Sequence, residues 1–100
     1  MSRFHALILD EVEHYVGNCP ENDQVKIKAA MVTMEKGDFQ SVHTKLLQGP
    51  IKELIVKNHR LIFFIIPPRI YFVRGFRKKS QKTPKHEIES ALKKYKFINK

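Results

Sequence analysis

One hundred residues, 42% of them hydrophobic and 29% charged, suffice for one domain with a modest core, and the single cysteine, Cys19, excludes a disulfide framework or a cysteine-based zinc site within the chain. No apolar run reaches the ~20 residues of a membrane span, and a patterned segment follows Met1-Ser2-Arg3-Phe4 directly, so the expectation is a single domain over residues 1–100 with no signal peptide and no membrane partner, cytoplasmic by default. The net charge of +9 is lopsided: residues 1–50 carry five Lys/Arg against seven Asp/Glu and residues 51–100 fourteen against three, which predicts a polyanion or an acidic protein as partner for one surface.

In chain order, residues 3–9 read as a short strand. Asp10 reads as an N-cap with Glu13 at capping-box spacing, opening a short helix whose apolar face is Val12, Tyr15 and Val16 and which ends at Gly17. Pro20 starts a second helix, in which Ile27, Ala30, Met31 and Met34 fall at i, i+3, i+4 and i+7, with Gly37 as the stop. Residues 38–49 read as a connection anchored by Leu46 and Leu47. Three strands are then expected at 51–57, 60–66 and 69–77, joined by turns at Lys57-Asn58-His59 and Pro67-Pro68 as an antiparallel meander. The middle run, Leu61 to Ile66, is apolar on both parities, the mark of a central strand covered on both sides. Thr83 as cap and Pro84 at the first helical position open a last helix with Ile88, Ala91, Leu92 and Tyr95 on one stripe. The order β-α-α-β-β-β-α predicts an α+β fold, with helices packed on a largely antiparallel sheet.

The densest chemistry lies at residues 74–85, RGFRKKSQKTPK, where six of twelve residues are cationic and none is acidic. Running from a strand end into a helix start, it gathers cations, hydroxyls and free helix N–H groups at one sheet edge, a combination that favours phosphate. His5, His14, His43 and His86 lack metal-ligand spacing and read as bystanders. No Ser-His-Asp pattern, Gly-rich phosphate loop or paired-carboxylate site is visible, and no cofactor is implied.

Three segments carry a resemblance. Gly75-Phe76-Arg77-Lys78-Lys79-Ser80-Gln81-Lys82-Thr83-Pro84, followed by Glu87-Ile88-Glu89-Ser90-Ala91, is similar to the basic signature of the HigB-like, phage-derived branch of the RelE toxin superfamily. Leu47-Gln48-Gly49-Pro50-Ile51-Lys52-Glu53-Leu54 and His59-Arg60-Leu61-Ile62-Phe63-Phe64 are similar to two of its strands, and order and spacing agree over roughly residues 3–98. The resemblance implies the toxin of a type II toxin–antitoxin pair, cutting mRNA on the ribosome and restrained by a cognate helix-turn-helix antitoxin protein. The chain departs from the pattern at Ile55, where an Arg is frequent, and at Arg74, where a His is frequent. The catalytic C-terminal Tyr of the RelE type is not assigned: Tyr71 falls mid-strand and Tyr95 on an apolar stripe.

Metal-free RNA cleavage uses the substrate's own 2′-OH, so the protein must accept a proton, stabilise charge on phosphorus and protonate the leaving oxygen. Arg60, Arg74, Lys78 and Lys79 are the expected catalytic cations, since preorganised positive charge stabilises the transition state and crowded lysines ionise at lower pH. Arg60, read as an exposed cation at a strand start, would clamp the phosphate in a bidentate fork. Lys57, His59, Arg77, Lys82 and Lys85 are the expected RNA contacts. Strict alternation would put Arg74 on one face with Phe72 and Phe76, and Arg77 on the other with Tyr71 and Val73. Antiparallel pairing of the last two strands would bring Arg60 beside Arg77 and Lys78. The alternative is a non-catalytic module that grips nucleic acid or an antitoxin with the same basic face.

Overall fold

The computed structural model describes residues 3–100; Met1 and Ser2, and with them the extreme start of the chain used in the signal-peptide expectation, lie outside the described residues. The elements are β1 (His5–Ile8), α1 (Asp10–Gly17), α2 (Glu21–Glu35), β2 (Thr44–Gln48), β3 (Ile51–Val56), β4 (His59–Ile66), β5 (Arg69–Arg77) and α3 (Lys85–Ile98). The five strands form one sheet in the order β1-β5-β4-β3-β2, with β1 parallel to β5 and every other pair antiparallel. This is the expected α+β fold with helices on a largely antiparallel sheet, extended by one strand.

The extra strand, β2, lies inside the stretch read as a connection. Its pairing to β3 slips between Leu46 and Gln48, which breaks the alternation that would have marked it as a strand. Leu46 is 62% exposed and belongs to neither core cluster, whereas Leu47 packs onto one.

Each face of the sheet is covered for a reason written in the helical periodicities. Val12 and Val16 of α1 and Ile27, Met31 and Met34 of α2 are buried against Leu54, Leu61, Phe63, Ile70 and Phe72. On the opposite face Ala91 of α3, with Leu92 and Tyr95, packs on Ile51, Ile62, Phe64, Tyr71 and Val73. Strand β4 is therefore buried on both sides from His59 to Phe64, as its apolar parities require. Truncating Phe63 or Phe64 to Ala should cost about 3–5 kcal/mol.

Several local signals resolve differently from the sequence expectation. Asp10 is the first helical residue, and Leu9 occupies the cap position with no side-chain hydrogen bond; its carbonyl accepts from the Val12 and Glu13 N–H groups. Asp10, Glu11 and Glu13 act instead on the dipole of the first turn. Pro84, not Thr83, is the cap residue of α3, because the Thr83 hydroxyl is drawn off to donate to Glu53 Oε1 at 2.6 Å. Gly37 does stop α2, at φ +84°, where a Cβ would also meet Arg3 Cδ at 2.9 Å. The β3–β4 turn holds only Lys57, at φ 54°, and Asn58. His59 belongs to β4 and is 1% exposed, so it is a core residue and not a turn residue.

Strand β5 positions the site. In its register with β4, Ile62 faces Arg74 but Phe63 faces Phe72, so Val73 is an extra, bulged residue. The bulge overturns the alternation expected for this strand. Phe72 faces α1 and α2, while Arg74 and Phe76 lie on the α3 side with Tyr71 and Val73. Arg77, opposite His59, returns to the α1 side. Strand β1 pairs only with Arg69–Phe72, so among the described residues Val73–Arg77 has no strand neighbour on that side.

Candidate functional site

The end of β5, which among the described residues has a strand neighbour only on its β4 side, and the loop after it form a basic rim between two cavities. One, about 720 Å³, lies on the α1 side and is lined by Tyr15, Cys19, Arg74, Phe76, Arg77 and Lys79 among others. The second, about 280 Å³, lies on the α3 side and is lined by Arg60, Arg74, Phe76, Arg77, Lys78, Lys79 and Lys82 among others. Four residues, Arg74, Phe76, Arg77 and Lys79, border both. The fold therefore brings Arg60, Arg74, Arg77, Lys78, Lys79 and Lys82 to one place. Lys57, His59 and Lys85 line neither cavity. His14, read as a bystander, lines the first, and His86 the second.

The expected cations divide into two kinds. Arg60 is buried, at 8% exposure, and donates from Nη1 to the carbonyls of Lys57 (2.9 Å) and His59 (3.0 Å). It closes the β3–β4 turn, which corrects its reading as an exposed cation. It stands opposite Phe76, one position from the Arg77 neighbourhood expected for it. Arg74 donates from Nε to Glu87 Oε1 at 2.8 Å and lies 3.9 Å from Glu11; the carboxylates hold its guanidinium charged, Glu87 most strongly. Lys57 pairs with Asp23 at 2.7 Å. Arg77, Lys78, Lys79 and Lys82, all exposed, have no side-chain partner among the described residues and are free for a polyanion. The bulge carbonyl of Val73 is satisfied by Lys94 Nζ at 3.2 Å, which also reaches Glu11 at 2.8 Å, so α3 is tied to α1 across the strand edge.

Sequence reasoning missed the polar chain beneath the larger cavity. Asp23, in the first turn of α2 and 7% exposed, accepts from Lys57 Nζ at 2.7 Å on one oxygen and lies 2.8 Å from His59 Nε2 on the other. His59 Nδ1 lies 2.5 Å from Tyr15 Oη and 3.8 Å from Cys19 Sγ. The hydrogen bond from His59, and then that from Lys57, holds the Asp23 carboxyl down at about 2. Burial pushes the Tyr15 phenol up to about 12, and burial likewise raises the Cys19 thiol. Asp23 reads locally as an acid favouring a helix N-terminus and Tyr15 as part of an apolar stripe; no local signal links either to His59.

Among the described residues no group of three or more His, Cys, Asp or Glu side chains converges as a metal site, and no helix is long and apolar enough to cross a membrane. What the site holds is a group of cations, free among the described residues, beside two cavities, with a buried Asp–His–Tyr chain reaching one of them.

The family described as phage-derived protein Gp49-like (DUF891) matches residues 14–96, the stretch that contains both cavities' basic rim, and no curated protein matches the chain. The chain belongs to that Gp49-like family, which is RelE-like and toxin-like.

Proposed function

We propose that this Gp49-like protein is the toxin of a type II toxin–antitoxin system, a HigB-like endoribonuclease that cuts mRNA on the ribosome by 2′-OH attack without a metal. One observation carries the reading: four cations without a side-chain partner among the described residues, Arg77, Lys78, Lys79 and Lys82, line a cavity at the end of β5. A phosphodiester backbone laid over that rim gains charge-assisted contacts without first breaking protein ion pairs. Membership of a toxin-like family supports the same reading. A cognate helix-turn-helix antitoxin would inhibit by setting carboxylates against this rim or by blocking entry to the ribosome beside it.

The test is induction in cells, with growth and mRNA 5′ ends followed together. Growth arrest with new internal 5′-hydroxyl ends, relieved by co-expression of the adjacent reading frame, is the expected result. A substrate cut off the ribosome should still be cut in EDTA. Intact mRNA during arrest would instead favour the non-catalytic binding module. The engagement of Arg60 and Arg74 by protein acceptors is the observation on that side.

A further inference from the structure

A histidine bonded through both nitrogens in a core is commonly a structural pin, and His59 ties β4 to α1 and α2 in that way. Two features go further. The hydrogen-bonded chain ends on the phenol of Tyr15, a half-buried residue lining the 720 Å³ cavity beside Arg77 and Lys79. Its polarity follows for a neutral ring. An ionised Asp23 only accepts, so a neutral His59 carries its proton on Nε2, and Nδ1 accepts from the Tyr15 hydroxyl, which donates inward. That leaves the phenol oxygen as an acceptor for a group in the cavity.

We propose that Tyr15 is the proton acceptor of the RNA cleavage step, with His59 and Asp23 as the positioning residues behind it; this rests on the endonuclease reading above. The substrate 2′-OH gives its proton to Tyr15 Oη as Tyr15 passes its own to His59 Nδ1. The 2′-oxygen bonds to phosphorus, the P–O5′ bond breaks, and the 5′-oxygen leaves with a proton from the Lys79 ammonium. Products are a 2′,3′-cyclic phosphate and a 5′-hydroxyl. Proton loss from His59 and reprotonation of Lys79, through solvent, restore the starting state.

The concerted transfer follows from the burial of Tyr15. Its free phenolate is disfavoured at neutral pH, so it accepts a proton only by giving one up. The imidazolium so formed is stabilised by Asp23, which Lys57 helps to keep ionised. This is the logic by which an Asp–His pair activates a hydroxyl. Arg77, opposite His59 in the β4–β5 register, supplies positive charge to the phosphate in the same cavity.

The test uses purified protein with ribosomes programmed by a defined mRNA under single-turnover conditions. Tyr15→Phe keeps the ring that packs on Gly75 and removes one hydroxyl. Cleavage should slow about 10²–10⁴-fold with ribosome and RNA affinity essentially unchanged. A 5′-bridging phosphorothiolate, whose thiolate leaves without a proton, should restore Lys79→Ala and leave Tyr15→Phe slow. On that substrate the wild-type rate should bow with D2O fraction, as for two protons moving together, a readout that needs no variant to fold. A linear dependence, or Tyr15→Phe cutting like wild type, overturns the relay alone. If the wild-type protein leaves mRNA uncut, the endonuclease reading fails and the relay with it.

Discussion

His59 Nε2 lies 2.8 Å from Asp23 Oδ2, joining residues 36 positions apart in the sequence, with both side chains out of solvent. The contact pins the start of β4 to the first turn of α2, and Lys57, at the tip of the β3–β4 turn, holds the other Asp23 oxygen.

This pairing makes stability depend on acid. The Asp23 carboxyl titrates at about 2 in the fold against an ordinary 3.8. Between those values the unfolded chain binds the extra proton, so the contribution of Asp23 is complete above 3.8 and is lost as pH falls through about 2. Asp23→Asn should be less stable than wild type at neutral pH and should lose less between pH 4 and 2. Denaturant titrations across that range check this; parallel profiles for the two proteins would contradict it.

Arg60 and the free lysines should separate in a stability assay. Arg60→Ala leaves the Lys57 and His59 carbonyls without their donor and should cost about 1–3 kcal/mol. Lys78→Ala, Lys79→Ala and Lys82→Ala, which remove exposed side chains without partners among the described residues, should stay within about 0.5 kcal/mol of wild type. Urea midpoints decide between this and a purely functional role for Arg60, for which all four variants would be equally stable.

The same lysines should dominate the salt dependence of RNA binding. Each phosphate contact removed at Lys78, Lys79 or Lys82 should lower the slope of log affinity against log salt by about one, with similar losses for all RNA sequences. Affinities measured from low to moderate salt give the slope. Unchanged slopes in all three variants would move the interface away from this rim.

Gly75 is a test of the cavity floor. A Cβ there would lie 2.9 Å from Tyr15 Cδ2 and 3.3 Å from its Cγ, atoms of a ring and not the end of a flexible chain. Gly75→Ala should therefore displace Tyr15 at a cost of about 1–3 kcal/mol and lengthen its contact with His59. Tyrosine ring resonances and cleavage rate should both change; a variant with neither change would show that the ring has room to yield.

Elements whose signal is local are legible in the amino-acid sequence. The i, i+3, i+4, i+7 stripe of α2, the stop at Gly37, the double-sided burial of β4 and the cations of residues 74–85 follow from periodicity, turn chemistry and composition along a few consecutive residues. Features that depend on register and on distant partners emerge only on folding. The extra residue at Val73 reverses the faces expected for Arg74 and Arg77, because alternation assigns a face only while the pairing is unbroken. Strand β2 was hidden by the same kind of slip at Leu46. Whether a cation is free or engaged was also settled by packing: Arg60 turns back to its own turn's carbonyls and Arg74 meets Glu87, while Arg77 and Lys79 do neither. The Asp23–His59–Tyr15 chain draws on two helices and a strand. Its three side chains meet only when both helices dock on the same face of the sheet, a long-range condition that no run of neighbouring residues encodes.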